Sequence, residues 1–219
     1  LYKIINDYSK KLLNKFPKNL DTIFFVCTGS EANDLAYRIA QNYTSSKNVL
    51  VMDNAYHGHT NTLIDLSPYK FNGKGGLGKK DHVHIAEMPD GLRGRWKYSK
   101  KDWVKHYILQ VKSTVDEIYR NKEKLSCFFV ESILGCGGQV VLPSKYLKEV
   151  FKIIRKKNAL CIVDEVQTGF GRVGNHFWGF EEHEIVPDIV TLGKPMGNGH
   201  PIAAVVTTKK IARKFNNGM

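Results

Sequence analysis

Cysteine is scarce here, and what there is does not pair. The four cysteines, Cys27, Cys127, Cys136 and Cys161, form no CxxC spacing, which removes the pattern that zinc ribbons and dithiol redox motifs need. Three of them, Cys27, Cys127 and Cys161, stand in or beside apolar strand-like runs and read as buried thiols of a reducing compartment rather than disulfides. Long apolar runs are missing too. No stretch approaches the roughly 20 residues that span a bilayer, and the opening LYKIINDYSKK lacks the apolar core of a secretory signal. The chain therefore reads as soluble and intracellular with no membrane partner, the mitochondrion and the cytoplasm both remaining open. Arginine is rare: 7 against 26 lysines within a formal charge of +12. The excess is scattered, and its densest runs (Arg155 to Lys157, Arg120 to Lys124, Lys209 and Lys210) look like helix faces or ends. That argues against a nucleic-acid partner and suits anionic small molecules. His57 and His59 form an H-x-H pair, but no third ligand follows at a recognisable spacing, so no metal site is expected.

What is present is a 42% hydrophobic composition, enough for a substantial core. Short runs rich in Val, Ile and Phe alternate with amphipathic stretches, the pattern of a mostly parallel sheet with helices on both faces, an α/β fold. Seven strands are predicted, at 22–27, 48–53, 82–87, 125–131, 159–164, 188–193 and 202–207. Ala32, Leu35, Ala36, Ile39, Ala40 and Tyr43 recur at helical spacing after the first strand, and Thr28-x-x-Glu31 ahead of them reads as a capping box. Further helices are predicted at about 102–121 and at about 144–157, the latter opening at Ser144 and closing on Arg155, Lys156 and Lys157, cations that the helix dipole favours there. The glycine-rich stretch 66–81 reads as a surface loop. No repeat or linker divides the chain, so residues 1–219 are taken as one domain; the start at Leu1 and the end at KFNNGM suggest a piece of something longer.

Ligands of open α/β sheets bind at the carboxyl ends of the strands. There stand Thr28-Gly29-Ser30 at a helix start, Tyr56-His57-Gly58-His59, Glu131, Asp164-Glu165 and Lys194. Thr28 to Ser30 suit a phosphate, or are an ordinary cap. Asp164 follows five apolar residues and needs a donor or cationic partner, which a structural ion pair would also satisfy. Lys194 in a partly apolar pocket can serve as a neutral nucleophile, or simply fix a turn.

Taken together, TGSEANDLAYRIAQ (28–41), NAYHGHT (54–60), Glu131-Ser132 with GCGGQVVLP (135–143), CIVDEVQTGFGRVG (161–174) and PDIVTLGKPMGNGHPIAAVVTT (187–208) resemble the class III, pyridoxal-phosphate-dependent aminotransferases of fold type I. YHGHTNTLIDLSPYKF, GFGRVGNHFWGF and GKPMGNGHP are closest to the branch of phospholyases acting on ethanolamine phosphate or 5-phosphohydroxylysine. The resemblance implies pyridoxal 5'-phosphate as cofactor, with Gly29 and Ser30 on its phosphate, Tyr56 and Val166 on the two faces of its ring, and Asp164 on the ring nitrogen. It further implies Gln167 near the ring hydroxyl, Lys194 as the lysine joined to the cofactor and then as base, Glu131 orienting polar groups, and His57 supporting the Tyr56 loop. The implied substrate is a small phosphorylated amine. Ser132 and Leu134 depart from a Pro and a Gln that many class III enzymes carry there, which weakens the likeness to transaminases and leaves open that Leu134 alters the site. A small domain, a threonine beyond Met219 that reaches a partner's cofactor, and a homodimer or homotetramer are also implied. An aminotransferase using pyruvate or glyoxylate, and a truncated non-catalytic relative, are the competing readings.

Overall fold

The computed structural model describes residues 2–216. In chain order it runs α1 (Lys3–Leu13), β1 (Thr22–Val26), α2 (Gly29–Thr44), β2 (Asn48–Met52), α3 (Asn61–Asp65), α4 (Pro68–Phe71), β3 (Val83–Ala86) and α5 (Trp103–Arg120). It continues with β4 (Leu125–Glu131), β5 (Ile133–Leu134), β6 (Val140–Val141), α6 (Tyr146–Arg155), β7 (Leu160–Asp164), β8 (Ile189–Leu192), β9 (Ala203–Thr207) and α7 (Lys209–Phe215). Seven strands form one sheet in the order β1-β9-β8-β7-β4-β2-β3.

The pairs β2/β3, β2/β4, β4/β7 and β7/β8 are parallel, whereas β9 is antiparallel to both β8 and β1. Only β9 is reversed, so the segments leaving β1, β2, β4, β7 and β8 gather on one rim. The central strands are buried on both faces, and their side chains alternate between two cores. Leu50, Phe128, Val163 and Val190 face the layer of α1, α5 and α6, while Val51, Phe129, Ile162 and Ile189 face that of α2, α3 and α7. This double burial is why the strands read as continuous apolar runs in sequence. Among the described residues no helix is long and apolar enough to cross a membrane.

Each of the seven expected strands is present, shorter by at most two residues. The Thr28–Glu31 capping box forms as well, with Thr28 Oγ1 accepting from the Glu31 N–H at 3.1 Å and Glu31 accepting from the Thr28 N–H at 2.8 Å. Other expectations are corrected. The helix expected from Ser144 starts at Tyr146, because Lys145 takes a left-handed φ of 66° at its cap. The presumed loop 66–81 contains α4, whose Pro68 and Phe71 are buried. The exposed α1 and the β5/β6 hairpin were not anticipated: α1 buries only Leu12, and two-residue strands are too short for any alternation. Cys127 and Cys161 are buried free thiols, but Cys27 is exposed, as is Cys136, since β1 ends at Val26 and releases Cys27 into the turn before α2.

Candidate functional site

The common rim holds a cavity of about 200 Å³, lined by side chains from five of the strand exits. At its centre is Asp164, the last residue of β7, only 6% exposed. A carboxylate there demands donors, and it has them. Its Oδ2 accepts from Asn33 Nδ2 at 2.8 Å and meets His57 Nδ1 at 3.0 Å, while Oδ1 accepts from the Val166 N–H at 3.0 Å and lies 3.5 Å from the Thr191 hydroxyl. An ionised carboxylate only accepts, so the His57 proton lies on Nδ1. His57 is held flat against Phe129, ring centroids 4.2 Å apart and planes 17° apart, and its backbone carbonyl accepts the second Asn33 proton at 2.7 Å.

Glu131 ends the neighbouring strand β4, in register with Asp164. Burial raises its carboxyl above the ordinary carboxylate range, neighbouring His57 opposes this, and nearby Asp164 adds to it. Glu131 accepts from the Tyr56 N–H at 3.2 Å and the Gly135 N–H at 3.0 Å, and so ties the segment after β2 to the turn of the β5/β6 hairpin. Glu165 is fully buried, and burial likewise raises its carboxyl. It accepts from Ser132 Oγ, from Thr168 Oγ1 at 2.9 Å and from the Gly179 and Phe180 N–H groups at 2.9 and 2.8 Å. That network pins the segment after β7.

Gly29 and Ser30 open the 16-residue α2 at the cavity wall. Its first-turn N–H groups lack helical acceptors and carry the positive end of the helix dipole. A Cβ on Gly29 would stand 2.7 Å from Val166 Cγ1, so only glycine lets the helix start close on the segment after β7. Gly58, at φ 137°, likewise makes room for Ser30 Oγ. Lys194 follows β8 with a strained φ of 30°. Its Nζ donates to Gln167 Oε1 at 3.0 Å, and its side chain is exposed at the cavity edge rather than enclosed in an apolar pocket.

The residues singled out from sequence thus meet in one place: Gly29, Ser30, Tyr56 and His57 on one side, and Glu131, Asp164, Val166, Gln167 and Lys194 on the other. Leu134 does not; it is buried in the α5/α6 core and turns away from the cavity. Asn33 was missed. It sits on the buried stripe of α2 with Ala36, Tyr37 and Ala40 at i+3, i+4 and i+7, and a polar residue on such a stripe signals a buried partner.

The aminotransferase class-III family profile matches residues 2–219. An alanine–glyoxylate aminotransferase 2-like protein of Drosophila melanogaster is 44% identical over 211 residues, 95% of this chain and 43% of the relative. Ethanolamine-phosphate phospho-lyase homolog 1 of Caenorhabditis elegans is 41% identical over 219 positions, 95% of this chain and 47% of its own length. A solved phospholyase from Arthrobacter, in complex with phosphoethanolamine, is 34% identical with a TM-score of 0.91, covering 100% of this chain and 51% of that one. The chain spans about half the length of the relatives it matches.

Proposed function

This chain belongs to the class III aminotransferase family, whose members use pyridoxal phosphate, and we propose that it is the cofactor-binding large domain of a phospho-lyase acting on a phosphorylated amine. The observation that carries the lyase reading is the likeness to the phosphoethanolamine-bound Arthrobacter enzyme, at 34% identity and a TM-score of 0.91.

The donor set fits the cofactor. Asp164 keeps acceptor capacity on Oδ1, where the Thr191 contact is at the 3.5 Å limit, and would hold a protonated ring nitrogen. Tyr56 and Val166 offer an aromatic and an aliphatic wall to a flat ring, the α2 N-terminus would hold the phosphate, and Gln167 would lie by the ring hydroxyl. When bound, the cofactor supplies an electron sink for charge developing at the amine-bearing carbon. Asn33, His57 and Val166, all donating to Asp164, would fix its carboxylate toward that ring nitrogen. Glu131 orients the Tyr56 wall. Lys194 Nζ, parked on Gln167, is the base placed to take the proton from the amine-bearing carbon. Phosphate then leaves from the adjacent carbon with the bonding pair, and water releases an aldehyde and ammonia.

The test is phosphate release by the full-length holoenzyme supplied with phosphoethanolamine or 5-phosphohydroxylysine and no keto acid. Release from one of the two is expected; release from neither would overturn the lyase reading. The name of the Drosophila relative supports a second reading, transfer of the amine to pyruvate or glyoxylate. In that case turnover would require the keto acid and release no phosphate. On either reading the family likeness supports a homodimer or homotetramer, which light scattering of the full-length protein would measure.

A further inference from the structure

Behind the Tyr56 wall of the cavity stands an exposed cation that takes no part in that chemistry. Lys70, in α4, places its Nζ 5.5 Å from the centroid of the Tyr56 ring and 5.3 Å from that of Tyr69. The two rings stand edge to face, 6.2 Å apart, so they form a corner in which the ammonium sits. Tyr56 is a wall of the cavity; Tyr69 is 45% exposed beside it. Among the described residues Lys70 makes no ion pair, whereas Lys80, Lys112, Lys148, Lys152 and Lys157 each find a carboxylate. Aromatic faces hold a cation without neutralising it, which leaves its charge available to an incoming anion.

The ammonium groups of Lys194 and Lys70 both act on the Cys136 thiol, which lines the cavity, against the burial and the Glu131 charge that raise it. Tyr56 lines the cavity, so the ammonium of Lys70, 5.5 Å from that ring, stands at its rim. Lys194 is committed to the reacting carbon; Lys70 is not. We propose that Lys70, cornered by Tyr56 and Tyr69, is the group that receives the phosphate monoester of the substrate amine while Lys194 works on its carbon skeleton. The proposal rests on the phospho-lyase reading and assigns it a specificity determinant. α4 buries Pro68 and Phe71, so the corner is anchored to the core rather than carried on a free loop.

A phosphate monoester could also be the cofactor's own, so the experiment separates the two. Full-length wild type, Lys70→Met and Lys70→Arg are compared for phosphate release from the substrate amine, for inhibition by inorganic phosphate and for pyridoxal phosphate affinity. Losing one charge-assisted contact should raise KM for the phosphorylated amine about 10- to 100-fold. The inhibition constant of inorganic phosphate should rise in step, cofactor affinity should stay within about twofold, and the Arg variant should recover most of the loss. An unchanged KM in Lys70→Met, with wild type active, overturns the assignment and leaves the lyase reading standing. So does a loss confined to cofactor affinity, or one that Arg fails to restore. A wild type that releases no phosphate overturns both.

Discussion

Asp164 shows how a buried carboxylate is satisfied inside a protein: by three or four donors gathered from separate segments. Replacing it with Asn keeps the shape but sets an amide proton against the Asn33 and His57 donors. On the proposed reading, Asp164→Asn in the full-length enzyme is expected to lower kcat about 100-fold or more, checked by steady-state turnover, because the cofactor's ring nitrogen would lose its ionic partner. His57 acts one step removed. His57→Phe should preserve the stacking on Phe129 and cost about tenfold in kcat/KM, the size of one hydrogen bond to a charged group. Glu131 carries a pH signature. Its folded carboxyl binds a proton more readily than its unfolded one, because burial raises it. It therefore subtracts stability above its folded value, and that deficit disappears as the pH falls through the raised value to the ordinary one near 4.3. Glu131→Gln should flatten the pH dependence of the unfolding midpoint across that window.

The segment after β7 shows that a loop can be as firmly built as a strand. Glu165 gathers two hydroxyls and two backbone N–H groups from Ser132, Thr168, Gly179 and Phe180. Removing its carboxylate strands all four donors, so Glu165→Ala is expected to cost about 3–5 kcal/mol, measured by urea unfolding. At the start of α2 the constraint is steric. The 2.7 Å approach between a Cβ on Gly29 and Val166 means that Gly29→Ala should displace Val166 or the helix start and cost about 1–3 kcal/mol by overpacking. Cofactor affinity should fall with it, since both residues wall the same cavity.

The sheet as a whole explains why one rim carries all of this chemistry. With only β9 reversed, five strand exits converge, and the parallel register sets Glu131 beside Asp164. The positive charge of the chain, +12, adds a longer-ranged effect: it would draw in the anionic substrate proposed above at low salt. The kcat/KM for a phosphorylated amine should fall as ionic strength rises from about 0.01 to 0.3 M, as the screening length contracts below about 10 Å. A neutral amine tested as a comparison substrate should show little change.

Much of this was written along the chain. Continuous apolar runs identify doubly buried strands, because a parallel sheet under two helical layers offers no wet face, and a capping box identifies the start of α2 because its donors and acceptors are local. Short or exposed elements were not legible: α1 has almost no buried stripe to pattern, and β5 and β6 are held by pairing alone. The chemistry divides the same way. Residue type and position at strand ends brought out Asp164, Lys194 and Glu131. Contacts across more than 100 residues of sequence, His57 and Asn33 on Asp164, have no local signature, since each depends on where two distant segments come to rest. The tertiary structure alone brought those donors onto one carboxylate, turned Leu134 into the core, and set Lys70 over two aromatic rings beside the cavity.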